Sequence, residues 1–274
     1  MEDFWNRPHD DTSKTIRMNP VKFFITFAFK FGININKFLQ PGTARAFYLY
    51  FYTMKGLVME SLDIAAGDYL WMLSRGYPQK SSLKLVGDKF MLSREMRQIL
   101  YRGISDVKSA AARREKLGSV APGDRVLVDT YNVLFTVNNY LLGKYVFICN
   151  DGMLRDAGEM RGRIVSKPVF KKSVTLFLGL LVEYHDTIFD LFLDEPVSYS
   201  GLLAAELTGE MDRLGIRGRA TTVRSPDQVL VQEKGDAVCT SDTVIIDQFQ
   251  GKVVDLPLQL LQKEFKPQFF SLLK

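Results

Sequence analysis

Four apolar runs in this sequence stop on an aspartate: RVLVD at 125–129, KYVFICND at 144–151, IFDLFLD at 188–194 and AVCTSD at 237–242. Three or more strand-forming residues followed at once by an acid is a pattern worth explaining. Taken singly, Asp129 and Asp242 read as helix caps, because an apolar helical pattern follows each and Asp is a favoured N-cap. Taken together, four acids at the ends of five strands describe a shared acidic site. Like charges held close repel, and they stay ionised only if something positive sits among them. A hard divalent cation such as Mg²⁺ or Mn²⁺ suits carboxylate oxygens and water. Such an ion activates water and offsets charge that develops on a phosphate.

The elements that would bring these acids together follow a strand–helix rhythm. RVLVD is the first strand, and YNVLFTVNNYLL after it is a helix stopped by Gly143. KYVFICND is the second strand, and a long apolar helix near 170–184 leads to the third, IFDLFLD. GLLAAELTGEMDRL is a helix stopped at Gly215; RATTV at 219–223 and AVCTSD are two further strands around a helical piece near 226–233. Continuous apolar strands alternating with helices imply a parallel sheet covered on both faces. All C-terminal strand ends then share one edge, where open α/β folds bind ligands. The stretch between the second and third strands is expected to hold an irregular loop of about 15–20 residues, long enough to suggest a purpose.

The texture differs before KLGSVAPGDR at 116–125. That first part reads as helices punctuated by Pro and Gly. The segment from Ser93 to Leu117 is expected to be one helix, capped by Ser93 and kinked at Gly103. Arg94, Arg97, Arg102, Lys108, Arg113 and Lys116 fall within an arc of roughly 160° on its wheel. That face reads either as a solvated surface or as a nucleic-acid contact. The aromatic-rich stretch from Phe23 to Tyr52 reads as core or subunit interface, giving a homo-oligomer, with a peripheral membrane helix as the alternative.

Charge supports the same division. Residues 1–122 carry 19 Lys and Arg against 11 Asp and Glu, whereas 123–274 carry 17 against 20. A basic half joined to an acidic half suits a protein that grips a polyanion and holds cations, chance scatter being the bland alternative. Near the acids, Asn132 could orient water or cap a helix, and Ser198 and Ser200 precede a helix whose free N–H groups would receive phosphate. Capping alone would account for Ser200. Arg155, Arg161 and Arg163 begin a basic loop that would steer a polyanion inward.

Several chemistries are excluded. The sequence has no phosphate loop, dinucleotide turn or GxSxG elbow, and only two histidines. Cys149 and Cys239 lie far apart, with neither metal-ligand nor disulfide spacing, and read as buried thiols in a reducing compartment. VKFFITFAFKF is interrupted by Lys22 and Lys30, so no membrane span is expected, and the location expected is cytoplasmic.

LVDTYNVLFTV, NDGMLRD, LDEPVSYSG and CTSDTVII resemble, in that order, the motifs of a PIN-like (NYN-related) nuclease domain from a prokaryotic family. There it follows a helical domain of unknown function, number 434, which the segment 65–103 resembles at Arg75–Gly76–Tyr77–Pro78, Leu85–Val86–Gly87–Asp88 and Arg97. The resemblance covers about 60–265 and implies an all-α domain over 60–118 followed by a PIN-like α/β domain over 124–274 whose parallel sheet is flanked by helices; residues 1–59, outside it, are read as an aromatic-rich helical extension. It implies Mg²⁺- or Mn²⁺-dependent hydrolysis of RNA, with Asp129, Asp151, Asp194 and Asp242 as metal ligands and catalytic acids. Asn132, Arg155, Arg161, Arg163, Ser198 and Ser200 would contact substrate. Asn150 stands where a second acid is common, and Glu206 is the candidate for a helix-borne glutamate. The competing expectation is an inactive adaptor that binds nucleic acid or protein on the same scaffold.

Overall fold

The computed structural model describes residues 61–158 and 167–273. The readings placed on 1–59, on Arg161 and on Arg163 lie outside them. Residues from Val58 onward form one compact unit. Among the described residues no helix is long and apolar enough to cross a membrane.

The described residues begin with helices α1 (61–74), α2 (Gln79–Lys89), α3 (Arg94–Gly103) and α4 (Val107–Glu115). Strand β1 (Arg125–Asp129) and helix α5 (Thr130–Leu141) follow, then strands β2 (Val146–Ile148) and β3 (Leu154–Asp156). Next come α6 (Pro168–Leu181), β4 (Ile188–Asp194), α7 (Ser200–Leu214), β5 (Arg217–Val223) and α8 (Pro226–Gln232). The last elements are β6 (Ala237–Cys239), α9 (Thr243–Gln248), β7 (Lys252–Val253) and α10 (Leu256–Phe265).

Five strands form one parallel sheet in the order β5-β4-β1-β6-β7. The α/β expectation therefore stands, with helices on both faces. Val126 and Val128 enter the larger core with α5, α6, α7 and α10, while Leu127 points the other way, among Leu230, Ile245 and Ile246 of α8 and α9. This two-sided burial is why the strand reads as an unbroken apolar run. Gly215 ends α7 in the left-handed region at φ 72°, a conformation that costs glycine nothing.

Two parts of the sequence reading need correction. KYVFICND does not join the parallel sheet. Its core, β2, pairs antiparallel with β3 in a separate two-stranded sheet, around a turn at Gly152. Phe147 and Cys149 face the core of α1–α3, while Val146 and Leu154 face the core of the parallel sheet, so this hairpin sits between the two. The fifth sheet strand is the short β7, which pairs with β6, and the expected long loop is shortened by β3. Second, Ser93–Leu117 is two helices. Ser93 caps α3, as expected, but Asp106 starts α4 by accepting from Lys108 and Ser109 N–H. Asn150 secures the break, accepting from Ser105 N–H at 3.1 Å and donating to Ser105 C=O at 2.7 Å. That double role needs a donor and an acceptor in one short side chain, which asparagine supplies and a carboxylate does not.

The helices are bound to the α/β part by polar staples and by shared apolar packing. Arg113 grips Asp247 through Nε and a terminal nitrogen at 2.6 and 2.7 Å. Lys116 donates to the carbonyls of Ile246, Asp247 and Phe249 at the C-terminal end of α9, where a cation is favoured. Much of the supposed basic face is therefore turned inward. Gly103 marks the closest approach: a Cβ there would lie 2.4 Å from Leu272 Cδ1 and 2.8 Å from Phe147 Cε2. Both neighbours are fully buried. Gly103→Ala is expected to lower stability by about 1–3 kcal/mol through overpacking, measured by urea denaturation; an unchanged midpoint would refute this account of the glycine.

Candidate functional site

In strand-only numbering the sheet reads 3-2-1-4-5, so the chain departs from β1 towards opposite edges and leaves a crevice between the ends of β1 and β6. Ligands in open α/β sheets bind at such a switch point. Asp129 stands there. Its Oδ2 accepts from the Thr240 hydroxyl at 2.9 Å and its Oδ1 from Asn132 N–H at 3.4 Å. The Thr240 hydroxyl in turn accepts from Asp242 N–H at 3.1 Å, which polarises it as a donor. Asn132 Oδ1 accepts from both the N–H and the hydroxyl of Ser241, at 3.0 and 2.9 Å. Each Asp129 oxygen keeps a lone pair beyond these bonds.

Asp194 shares the crevice. Asp129 pairs in register with Phe192, so Asp194, two residues on, projects from the same face of the sheet. The charges interact: burial, with smaller pushes from Asp194 and Asp227, raises the Asp129 carboxyl to about 7 against the Thr240 and Asn132 hydrogen bonds. Asp194 is raised first by burial and then by Asp227. Tyr131 belongs to this neighbourhood too. Its hydroxyl is buried without a hydrogen-bond partner among the described residues, and burial together with the Asp194 charge raises its pKa to about 12.

The other sequence candidates are placed differently. Asp151 lies in the β2–β3 turn, fully buried, with both oxygens held by the Arg155 guanidinium at 2.8 Å. Arg155 also donates from Nε to Ser241 C=O at 2.8 Å, so it braces the loop beside Asp129. Asp242 reaches the edge, but its Oδ1 caps α9 through Val244 N–H at 2.7 Å. Ser198 is exposed before α7. Ser200 does not cap that helix: Tyr199 occupies the cap position, and the Ser200 hydroxyl closes the preceding turn on Glu195 C=O. Glu206 is half-buried on α7, where burial raises its pKa against the pull of Lys171. Of the four acids, Asp129 and Asp194 are thus brought together. Asp227, Thr240 and Tyr131 are the companions that reading strand ends missed; Thr240 and Tyr131 lay inside the motifs already quoted.

Among the described residues no three His, Cys, Asp or Glu side chains form a closed metal cage. The chemistry of the donors fits a looser arrangement. Mg²⁺ retains several waters and needs only one or two carboxylates from a protein, and Asp129 and Asp194 supply hard oxygens whose mutual repulsion a cation would relieve.

Residues 120–259, just over half of the chain, match the domain of unknown function DUF5616. The chain belongs to that family. Residues 61–116 match the protein of unknown function DUF434, which agrees with the resemblance seen in segment 65–103. The uncharacterized protein MJ0935 of Methanocaldococcus jannaschii is 28% identical over 205 residues, covering 74% of this chain and 97% of that protein. No solved structure matches. In these terms α1–α4 are the DUF434 segment, and the switch-point acids belong to the DUF5616 domain.

Proposed function

We propose that the DUF5616 domain is a PIN-like, divalent-metal-dependent nuclease that hydrolyses phosphodiester bonds, in RNA before DNA. The observation that carries this reading is a buried aspartate at the topological switch point, in electrostatic company with two more. Asp129 and Asp194 would hold Mg²⁺ or Mn²⁺, with Asp227 adding negative charge to the mouth. When bound, such an ion supplies positive charge against a phosphoryl oxygen and makes water more acidic. Thr240 and Asn132 fix the plane of the Asp129 carboxylate, so its remaining lone pairs face one direction. The buried Tyr131 hydroxyl, which feels the Asp194 charge, would be a donor to a water that entered beside that carboxylate.

A second reading has its own support. Asp151 is neutralised by Arg155 and Asp242 is committed as a cap, which leaves fewer acids than the sequence promised. An adaptor that binds nucleic acid without cutting it would need no more. It predicts binding that is weakened by salt but indifferent to chelator.

Asp129→Asn should lower Mn²⁺-dependent cleavage of mixed single-stranded RNA by about a hundredfold or more, the scale lost with a group that stabilises transition-state charge. Calorimetric titration of Mn²⁺ should show binding in the parent protein that the variant loses. Cleavage unchanged by Asp129→Asn would end the nuclease reading of this site.

A further inference from the structure

A cleft of about 510 Å³ opens between the DUF434 helices and the segment 241–244 that lies beside Asp129. Tyr77, Tyr101 and Arg102 line one wall, and Asn132, Ser241 and Asp242 line the other. Asn132 and Ser241 are the residues that bond to Asp129 or to each other beside it. One hydrogen bond therefore separates the cleft wall from the buried carboxylate. The volume lies within the range of small-ligand pockets.

The walls have a specific chemistry. Tyr77 is 50% exposed and Tyr101 37% exposed, although neither lies on a helix face that needs an aromatic ring for the core. Tyr77 is backed by Trp71, stacked at 6.3 Å, and Arg75 covers the Trp71 ring at 4.3 Å. The cleft thus has a supported aromatic platform at its mouth. Among the described residues the Arg102 guanidinium makes one long contact, 3.5 Å to Asp156 Oδ1. Asp156 already accepts from Asn139, Thr136 and Gly158 at 2.6, 3.2 and 2.8 Å, so it does not depend on that arginine. Arg113 and Arg155 add positive charge deeper in, but their donors are taken up by Asp247, Ser105, Asp151 and Ser241.

Aromatic faces, a cation with donors to spare and a nucleotide-sized space define one occupant. We infer that this cleft binds single-stranded RNA, with an unpaired base against Tyr77 and Tyr101 and a backbone phosphate on Arg102. Bases in a duplex present their edges, not their faces, so stacking of this kind requires an unpaired strand. The DUF434 segment is then the strand-recognition element, and the cleft delivers the backbone towards Asp129. This deepens the nuclease reading and rests on it for the fate of the strand, though not for its binding.

The test is fluorescence anisotropy with the full chain in EDTA, using a labelled single-stranded RNA of about ten nucleotides, near the site size of one binding module. Tyr77→Ser and Tyr101→Ser should each weaken binding roughly tenfold, within the range of one lost base stack. Tyr77→Phe and Tyr101→Phe should restore it, and the serine variants should melt with the parent because both rings are half exposed. Arg102→Gln should flatten the salt dependence by about one phosphate contact. The inference is overturned if the parent does not bind the RNA, if the serine variants bind like the parent, if a blunt duplex binds equally well, or if free adenosine monophosphate displaces the strand mole for mole. Adding Mn²⁺ separates the two readings. RNA held through the tyrosines but left uncut rejects cleavage and keeps the cleft. Cutting that Asp129→Asn removes, with KM unchanged in the tyrosine variants, keeps cleavage and rejects the cleft.

Discussion

At pH 8 in metal-free buffer, Asp129→Asn is expected to melt about 4–8 °C above the parent protein. The cause is proton linkage. The folded carboxyl keeps its proton up to about 7, whereas an unfolded aspartate releases it near 3.9. Between those values the native state binds more protons, so stability is full below about pH 4 and is lost as pH rises towards 7. Three pKa units set an upper bound of about 4 kcal/mol; relaxation and water entry leave about 2 kcal/mol, and 1 kcal/mol moves the melting temperature of a domain this size by about 2–4 °C. Asparagine removes the charge and can still accept from Thr240. Differential scanning calorimetry at about pH 3.5 and pH 8 checks this: below the unfolded value the gain should all but disappear. Equal gains at both would mean that Asp129 is not destabilised by its own charge. Saturating Mn²⁺ should close the gap by stabilising only the parent, by about 2.7 kcal/mol at a hundred times Kd.

Arg155→Met should have the opposite and larger effect, a loss of about 3–5 kcal/mol. Its partner Asp151 is fully buried, and the variant leaves that carboxylate with Met153 N–H at 3.1 Å and a marginal Arg113 contact at 4.0 Å. Removing both charges with Arg155→Met/Asp151→Leu should recover most of the loss, since a buried pair replaced by apolar groups is often neutral. Urea denaturation of the two single variants and the double variant closes the cycle. The same variants decide the role of Asp151. If Asp151→Leu keeps Mn²⁺ binding while it destabilises, this acid is structural; loss of Mn²⁺ binding at parental stability would return it to the metal site.

What could be read from the sequence follows from which interactions are local. The strands β1 and β6 are visible because burial on both faces forces an apolar run, and β4 because its buried residues alternate along it; the acids at or just beyond their ends could be placed on one edge without knowing strand order. KYVFICND carries the same apolar signature for a different reason: Phe147 and Cys149 are buried by helices of the DUF434 segment. Hydrophobicity reports that a residue is covered, not by what. Ser93–Leu117 keeps one helical period across its break because Asn150, distant in sequence, supplies the bonds that stop α3. Arg97, Arg102, Arg113 and Lys116 look alike on a wheel, yet each has an intramolecular partner that only the tertiary structure provides. Asp227 went unnoticed because no strand ends on it; Pro226 beside it marked a helix start and nothing more.

Residues 270–272 add one more consequence, for the way the protein is made. Ile148 N–H donates to Phe270 C=O, Leu272 N–H donates back to Ile148 C=O, and the Leu272 side chain is fully buried in the core of α1–α3. The earliest helices described are therefore closed by the last residues described. At synthesis rates of about 5–20 residues per second, Gly103 waits roughly ten to thirty seconds before Leu272 is made. Until then the seat for Leu272 on those helices lies open, as a sticky apolar surface on a nascent chain. The core of α1–α3 is therefore completed only after the α/β part has been made, and not in stepwise order along the chain.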